Sequence, residues 1–255
     1  MLRWCCYCQQ FLGESPDYQN LSITHGICPA CRTKVFEFTE ADLKRSESIR
    51  DMQHQLHEAG RRNDLGAAQR IIENAVASNI RPVDVLIGVI APMLYQVGED
   101  WKRGAMSVAE EHGFTAYCSE IFNWVASNVG APMSDVAMGA EDPKILLMNA
   151  PGNKHTLAIR ILTLWLWNRG SRARMIDPPP TLDELNALVI RAQPRLILVS
   201  MALAEQRVGV TALAERIAGW PASIRPRVIV GGYAVKLGLV SRIPGAELLG
   251  DISLL

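Results

Sequence analysis

Four cysteines stand in two close pairs near the start of this sequence, Cys5 with Cys8 and Cys28 with Cys31, nineteen residues apart. Two Cys-x2-Cys turns each present a pair of sulfurs on one side of a knuckle, and two knuckles complete a tetrahedron, the spacing of a four-thiolate zinc ribbon. A pair of redox dithiols and a metal-free folded segment are the competing accounts. Cys6 reads as a bystander, and His25 as a substitute ligand. No signal peptide precedes the cysteines, so disulfides are not expected. A stretch of some 35 residues is too short to sustain a core, and a bound metal would have to fold it.

The second chemically informative residue is His155. It lies after the apolar run of residues 144–148, which reads as a buried strand, and just ahead of residues 156–167, which have the length and apolar density of a buried helix. A histidine on the first strand-to-helix loop of an α/β sheet stands at the carboxyl edge, where open sheets bind ligands. Imidazole is also the commonest metal-ligating side chain. A solvent-exposed loop histidine is the alternative.

Elements that would position His155 follow in order. Strands are predicted at 173–176, 195–200, 227–232 and 246–249, and helices at 182–190, capped by Thr181, and around 208–218. This alternation implies right-handed crossovers and a five-stranded parallel sheet of flavodoxin-like size. Pro151-Gly-Asn153 occupies the place where a phosphate-binding glycine fingerprint would be needed, which disfavours a nucleotide cofactor of the usual kind. The pair Gly231 and Gly232 suits either close approach of a large ligand or a tight turn.

Upstream, roughly residues 47–135 form a helical layer. Helical spacing runs from 64 to 77, Pro82 fits the first turn of a helix reaching 97, and Ser107-Val-Ala-Glu110 is a capping box opening another. Phe114, Cys118, Ile121, Phe122 and Val125 would face its core, while Glu111 and His112, near its start, are free to point toward a ligand. With the polar segment before Asp64 as a fourth helix, short connections make a bundle. Residues 39–51 read as a solvated helix or linker. The expected organisation is a zinc-ribbon-like unit at 1–40, a helical bundle at 41–135 and an α/β domain at 143–255.

Lysine plus arginine number 26, as do aspartate plus glutamate, and no basic tract exceeds Arg61-Arg62. Phosphate-driven DNA binding is therefore not expected. No apolar run reaches membrane-spanning length without charge or proline, so a cytoplasmic protein is expected.

A four-helix bundle followed by a five-stranded α/β domain resembles the cobalamin-binding module. In that family the loop after the first strand carries Asp-x-His-x-x-Gly, and its histidine coordinates cobalt from below. This chain reads Asn153-Lys-His-Thr-Leu-Ala158: the histidine is kept, the acidic residue and the glycine are not. Trp101, nine further residues and then Glu111-His112 are similar to the signature of light-sensing adenosylcobalamin proteins, the photoreceptor repressors of carotenoid synthesis. The likeness spans residues 60–255. It implies His155 as cobalt ligand, and Trp101, Glu111 and His112 against the adenosyl group. It further implies corrinoid contacts from Val97, Gly152, Asn153, Thr156, Leu157, Ala158, Ser200, Ala202, Gly231, Gly232 and Tyr233.

Two departures shape the expectation. Many of the photoreceptors have a histidine after the tryptophan, where this chain has Lys102, a poor cobalt ligand while protonated; His112 becomes the upper-face substitute. Asn153 replaces a carboxylate whose bond to the imidazole would raise its basicity. An amide oxygen there accepts the same bond without the charge, implying weaker or more exchangeable coordination. Residues 22–31 resemble a cysteine-rich segment found at the ends of some bacterial sensor kinases and response regulators.

The resemblance implies a non-enzymatic, light-responsive regulator holding adenosylcobalamin and zinc. It would act through a protein partner such as a transcription factor or through a second copy of the chain. On this view the cysteine unit is a removable docking knob. A corrinoid methyl carrier serving methyltransferases is the alternative from another class, and a module holding another tetrapyrrole, or nothing, is a third.

Overall fold

The structure is a computed structural model of the chain. It describes residues 1–34, 39–131, 137–139 and 142–254, apart from the side chains at 41–43, 45–46 and 137–139. Most of the joining loop expected at 135–143 lies outside the described residues. The chain divides into two compact units, Met1–Val129 and Gly130–Leu255.

The first unit begins with strands β1 (Leu2–Cys5), β2 (Phe11–Glu14) and β3 (Ile23–Gly26) in the order β2-β1-β3, with β2 antiparallel and β3 parallel to β1. A single turn, α1 (Pro29–Arg32), carries Cys31. Four longer helical stretches follow. They are α2 (Glu40–Arg61), α3 (Leu65–Ala77), a segment made of α4 (Pro82–Val85) continuing through a π-helical turn (Leu86–Ile90) into α5 (Ala91–Lys102), and α6 (Val108–Asn128). The π turn has a local cause. Pro92 has no N–H to return to the Gly88 carbonyl and its ring crowds that turn, while Ala91 N–H reaches back five residues to Leu86.

The helices expected from residue 64 and from the capping box at 107–110 are present. Asp64 caps α3 through the Ala67 N–H, and Ser107 with Glu110 forms the complete capping box of α6. Phe114, Cys118, Ile121, Phe122 and Val125 are all buried. Gly60 lets α2 and α6 close together: a Cβ there would stand 2.6 Å from the Phe114 ring. Tyr117 reaches across to donate to the Leu56 carbonyl at 3.0 Å. Residues 39–51, read as a solvated helix or linker, enter α2, where Ile49 is fully buried.

The small sheet is not free of the helices. Trp4 and Phe11, both buried and packed edge to face at 5.4 Å, lie over Gly88, where a Cβ would meet the Trp4 ring at 2.5 Å. Phe11 N–H donates to Asp84 at 3.3 Å, a carboxylate with no exposed surface that Arg81 clamps from 2.7–2.9 Å. Arg50 and Gln53 of α2 donate to the carbonyls of Ile23 and Leu21.

The second unit is a six-stranded sheet in the order β4-β6-β5-β7-β8-β9. The five predicted strands are present and parallel: β5 (Ile145–Asn149), β6 (Ala173–Ile176), β7 (Leu196–Ser200), β8 (Arg227–Gly231) and β9 (Glu247–Leu248). A sixth, β4 (Ala137–Gly139), pairs antiparallel with β6 in the stretch read as connecting loop. Three residues carry no periodicity, so only a neighbouring edge could reveal this strand. Helices α7 (Leu157–Asn168), α8 (Leu182–Ala192), α9 (Arg207–Ala218) and α10 (Tyr233–Lys236) connect the parallel strands. Leu185 and Val189 of α8 and Val210, Leu213, Ala214 and Ile217 of α9 form one core with Leu146, Met148, Ile197, Val199, Val228 and Val230. Helix α7 packs on β4, β5 and β6. Every residue of β5 is buried, as an apolar strand covered on both faces must be.

Candidate functional site

The four ribbon cysteines converge. The sulfurs of Cys5, Cys8, Cys28 and Cys31 all lie within 4.8 Å of one another, and Cys8 and Cys28 are 3.7 Å apart. A zinc–sulfur bond of about 2.3 Å gives a tetrahedral sulfur–sulfur edge of about 3.8 Å, so the sulfurs already stand at coordination spacing and too far apart for a disulfide. Backbone N–H groups point at them: Cys28 N–H at the Cys5 sulfur at 3.4 Å, and Cys31 N–H at the Cys28 sulfur at 3.3 Å. Burial pushes the Cys8 thiol up, and burial together with a hydrogen bond to Cys28 raises Cys31 to about 11. For Cys5, burial is outweighed by the backbone donors of Cys8, Cys28 and Tyr7, which bring it down to about 7. One thiolate is thus favoured by the fold, and a bound dication would supply the charge that releases the other protons. His25 sits on β3 opposite Trp4, outside this group of sulfurs.

Trp101, Glu111 and His112 occupy one end of a helical hairpin. Trp101 lies in the last turn of α5, Glu111 in the first turn of α6 and His112 directly after it, with residues 103–107 joining the two helices. The indole is 50% exposed, unusual for so large an apolar side chain inside a packed unit. One Glu111 oxygen accepts the Thr115 hydroxyl at 2.9 Å; the other is 3.4 Å from the His112 ring, whose side chain is 74% exposed. The carboxylate is thereby held in place with the imidazole and indole open to solvent. Lys102 is also exposed, 3.9 Å from Glu99. Val97 is buried within the helical unit.

In the second unit, the carboxyl ends of three neighbouring strands align. Asn149 is in register with Ser200, and Ser200 with Gly231. His155 is exposed on the β5–α7 loop beside this edge, as the sequence places it. Gly152, with φ of 81°, turns the loop, and nothing lies within 4 Å of where its Cβ would stand. Thr156 and Ala158 are partly exposed while Leu157 is buried. Across the edge, Ser200, Ala202, Gly231, Gly232 and Tyr233 are all partly exposed. A Cβ on Gly232, at φ of 101°, would stand 2.5 Å from the Met201 carbonyl oxygen, so the local backbone requires a glycine there.

Asn153 departs from its expected place beside the imidazole. It is buried, and its side-chain oxygen accepts the backbone N–H of His155 at 3.0 Å. Two further contributors escaped the sequence reading. Asn149, polar at the end of an apolar run, is buried against the same loop. Gly209 of α9 admits Pro151, whose ring would lie 3.3 Å from a Cβ there. The interruption of the apolar run by an asparagine was the available signal for the first; nothing local marks the second.

Comparison with known proteins places this geometry. No curated protein matches the sequence. Among solved structures, the fold is similar to that of the monomethylamine corrinoid protein of Methanosarcina barkeri, with a TM-score of 0.62, 13% identity, and coverage of 80% of this chain and 94% of that one. A cobalamin-binding protein from Desulfitobacterium hafniense matches with a TM-score of 0.41 at 14% identity, over 79% of this chain and 93% of that one. The methanol:cobalamin methyltransferase complex of Methanosarcina barkeri matches at 0.36 and 14%, over 84% and 88%. The family model described as B12 binding domain matches residues 52–125, the stretch that holds Trp101, Glu111 and His112. Residues 52–125 of the helical unit are thus similar to a B12 binding domain, and the fold of the chain is similar to that of a corrinoid protein.

Proposed function

We propose that this chain is a cobalamin-binding, light-responsive bacterial regulator, not an enzyme, that signals by changing its contacts with a protein partner. The observation that carries this reading is the half-exposed Trp101 beside the held Glu111 and open His112, at one end of a B12-binding domain. A flat ligand stacked on the indole would cover this apolar surface. His155, exposed on the loop at the sheet's carboxyl edge, would ligate the cobalt, and Trp101, Glu111 and His112 would receive the adenosyl group. Bound adenosylcobalamin supplies a cobalt–carbon bond that light can break. The protein's own part is to stack the indole on the adenine, accept a ribose or adenine hydrogen bond at Glu111, and hold the imidazole of His155 in place.

Cys5, Cys8, Cys28 and Cys31 hold one structural zinc ion, a role supported by the coordination spacing of their sulfurs. The chain works in the cytoplasm without direct DNA or membrane contact. Its partner is a transcription factor, another signalling protein or a second copy of the chain.

The fold likeness to a monomethylamine corrinoid protein supports a second reading, a corrinoid carrier that passes methyl groups between methyltransferases. The two separate under light. Purified protein loaded with adenosylcobalamin in the dark should change its absorption spectrum under green light, together with its oligomeric state or its retention of a partner. A spectrum and assembly indifferent to light, with ready methylation of the bound cofactor by a methyltransferase, would replace the regulator by the carrier.

A further inference from the structure

The β5–α7 loop is closed by two buried amides, Asn149 at 2% exposure and Asn153 at 6%. Asn153 Nδ2 donates to the Ser200 carbonyl at 3.1 Å and to Asn149 Oδ1 at 3.3 Å. Its Oδ1 accepts the backbone N–H of His155 at 3.0 Å, and its own N–H returns to the Ala150 carbonyl at 2.9 Å. Asn149 Nδ2 donates in turn to the His155 carbonyl at 3.4 Å. Both backbone groups of His155 are therefore held by this amide pair.

The orientation of the Asn153 amide follows from its backbone partners. The Ser200 carbonyl can only accept and the His155 N–H can only donate, so nitrogen must face the first and oxygen the second. A carboxylate could serve the N–H but would set a second oxygen against the Ser200 carbonyl. Asn149 cannot compensate by turning over, because its oxygen would then face the His155 carbonyl. A buried acceptor left against another acceptor loses its bond and keeps its desolvation cost.

We propose that Asn153 is a positioning residue. It is an amide clamp that fixes the backbone of residue 155, and so where the imidazole sits, rather than an uncharged stand-in for a carboxylate bonded to the imidazole. Restoring aspartate at 153 then loosens the loop and weakens cobalt coordination by His155 instead of strengthening it. The coordination half of this statement rests on the cobalamin reading; the clamp itself does not.

Five versions of the full chain test it: wild type, Asn153→Asp, Asn153→Ser, His155→Ala and the Asn153→Asp/His155→Ala double variant. Each is melted without cobalamin and then titrated with hydroxocobalamin while the absorption spectrum is followed. The clamp predicts that Asn153→Asp lowers the melting midpoint by about 3–8 °C. The same drop should occur in the His155→Ala background, because the bonds go to the backbone of residue 155. It also predicts a smaller histidine-ligated fraction in the spectrum of Asn153→Asp than in wild type. Asn153→Ser, whose hydroxyl can both donate and accept, should recover part of the midpoint, and gives a reading should Asn153→Asp fail to fold. An unchanged midpoint with a larger histidine-ligated fraction would overturn the proposal, as would a midpoint loss that vanishes in the His155→Ala background. If wild type itself takes up no hydroxocobalamin, the cobalamin reading fails, and the clamp stands or falls on the midpoints alone.

Discussion

His155 and Trp101 differ in what their removal should expose. His155 is solvent-facing on a loop whose backbone is held independently by Asn149 and Asn153. His155→Ala should therefore leave the fold intact, weaken cobalamin binding and shift the bound spectrum to a water-ligated form. An unaltered spectrum would remove His155 from the cobalt. Trp101→Ala deletes a side chain that is already half exposed, so its cost to stability should be well below the ~3–5 kcal/mol of a core tryptophan. Its effect should fall instead on the cofactor, with adenosylcobalamin losing more affinity than hydroxocobalamin because only the former fills the space over the indole. Equal losses for the two forms, measured by equilibrium dialysis, would detach the indole from adenosyl recognition.

Among the elements, the cysteine knuckles and the helix beneath them act as one piece. The Cys5–Cys8 turn runs directly into Phe11, and Trp4 with Phe11 covers the π turn at Gly88. The expectation from sequence was that removing the knob leaves cobalamin binding intact and abolishes only the regulatory contact, and this packing argues against the first part. Deleting residues 1–35 would expose Trp4's and Phe11's seat on Leu86–Ile90 and leave Asp84 without the Phe11 N–H. Truncation should lower the melting midpoint of the helical unit and impair cobalamin binding as well as partner binding; a truncated protein with wild-type stability and affinity would restore the removable knob. Gly88→Ala gives a related test at one residue. Helix propensity favours alanine by about 1 kcal/mol, but a Cβ 2.5 Å from the Trp4 ring costs about 1–3 kcal/mol of overpacking, so net destabilisation is expected in a denaturant titration. Zinc belongs to the same scale. Metal analysis should give about one ion per chain, lost in Cys28→Ser together with part of the unfolding cooperativity.

For the molecule as a whole, the parallel sheet, its five strands, the helix caps at Ser107 and Thr181, and the cysteine cluster were all legible along the chain. They rest on local physics: apolar runs and their period, side-chain caps three residues from their partners, and the fixed reach of Cys-x2-Cys turns. The positions of His155 and of Trp101 with Glu111 and His112 were legible for the same reason, since a loop between a strand and a helix, or the ends of one hairpin, are set by connectivity. What each of these side chains touches was decided only in three dimensions. Asn153 meets Ser200 from a strand 47 residues away, which turns an expected imidazole partner into a backbone clamp. Gly88 lies under Trp4 and Phe11 from far earlier in the chain, and Asp84 takes its bond from Phe11 across 73 residues. Gly232 is required by the close approach of the Met201 backbone. Local propensity carries no information about such pairs, because their energy arises only when distant segments exclude water from the same space.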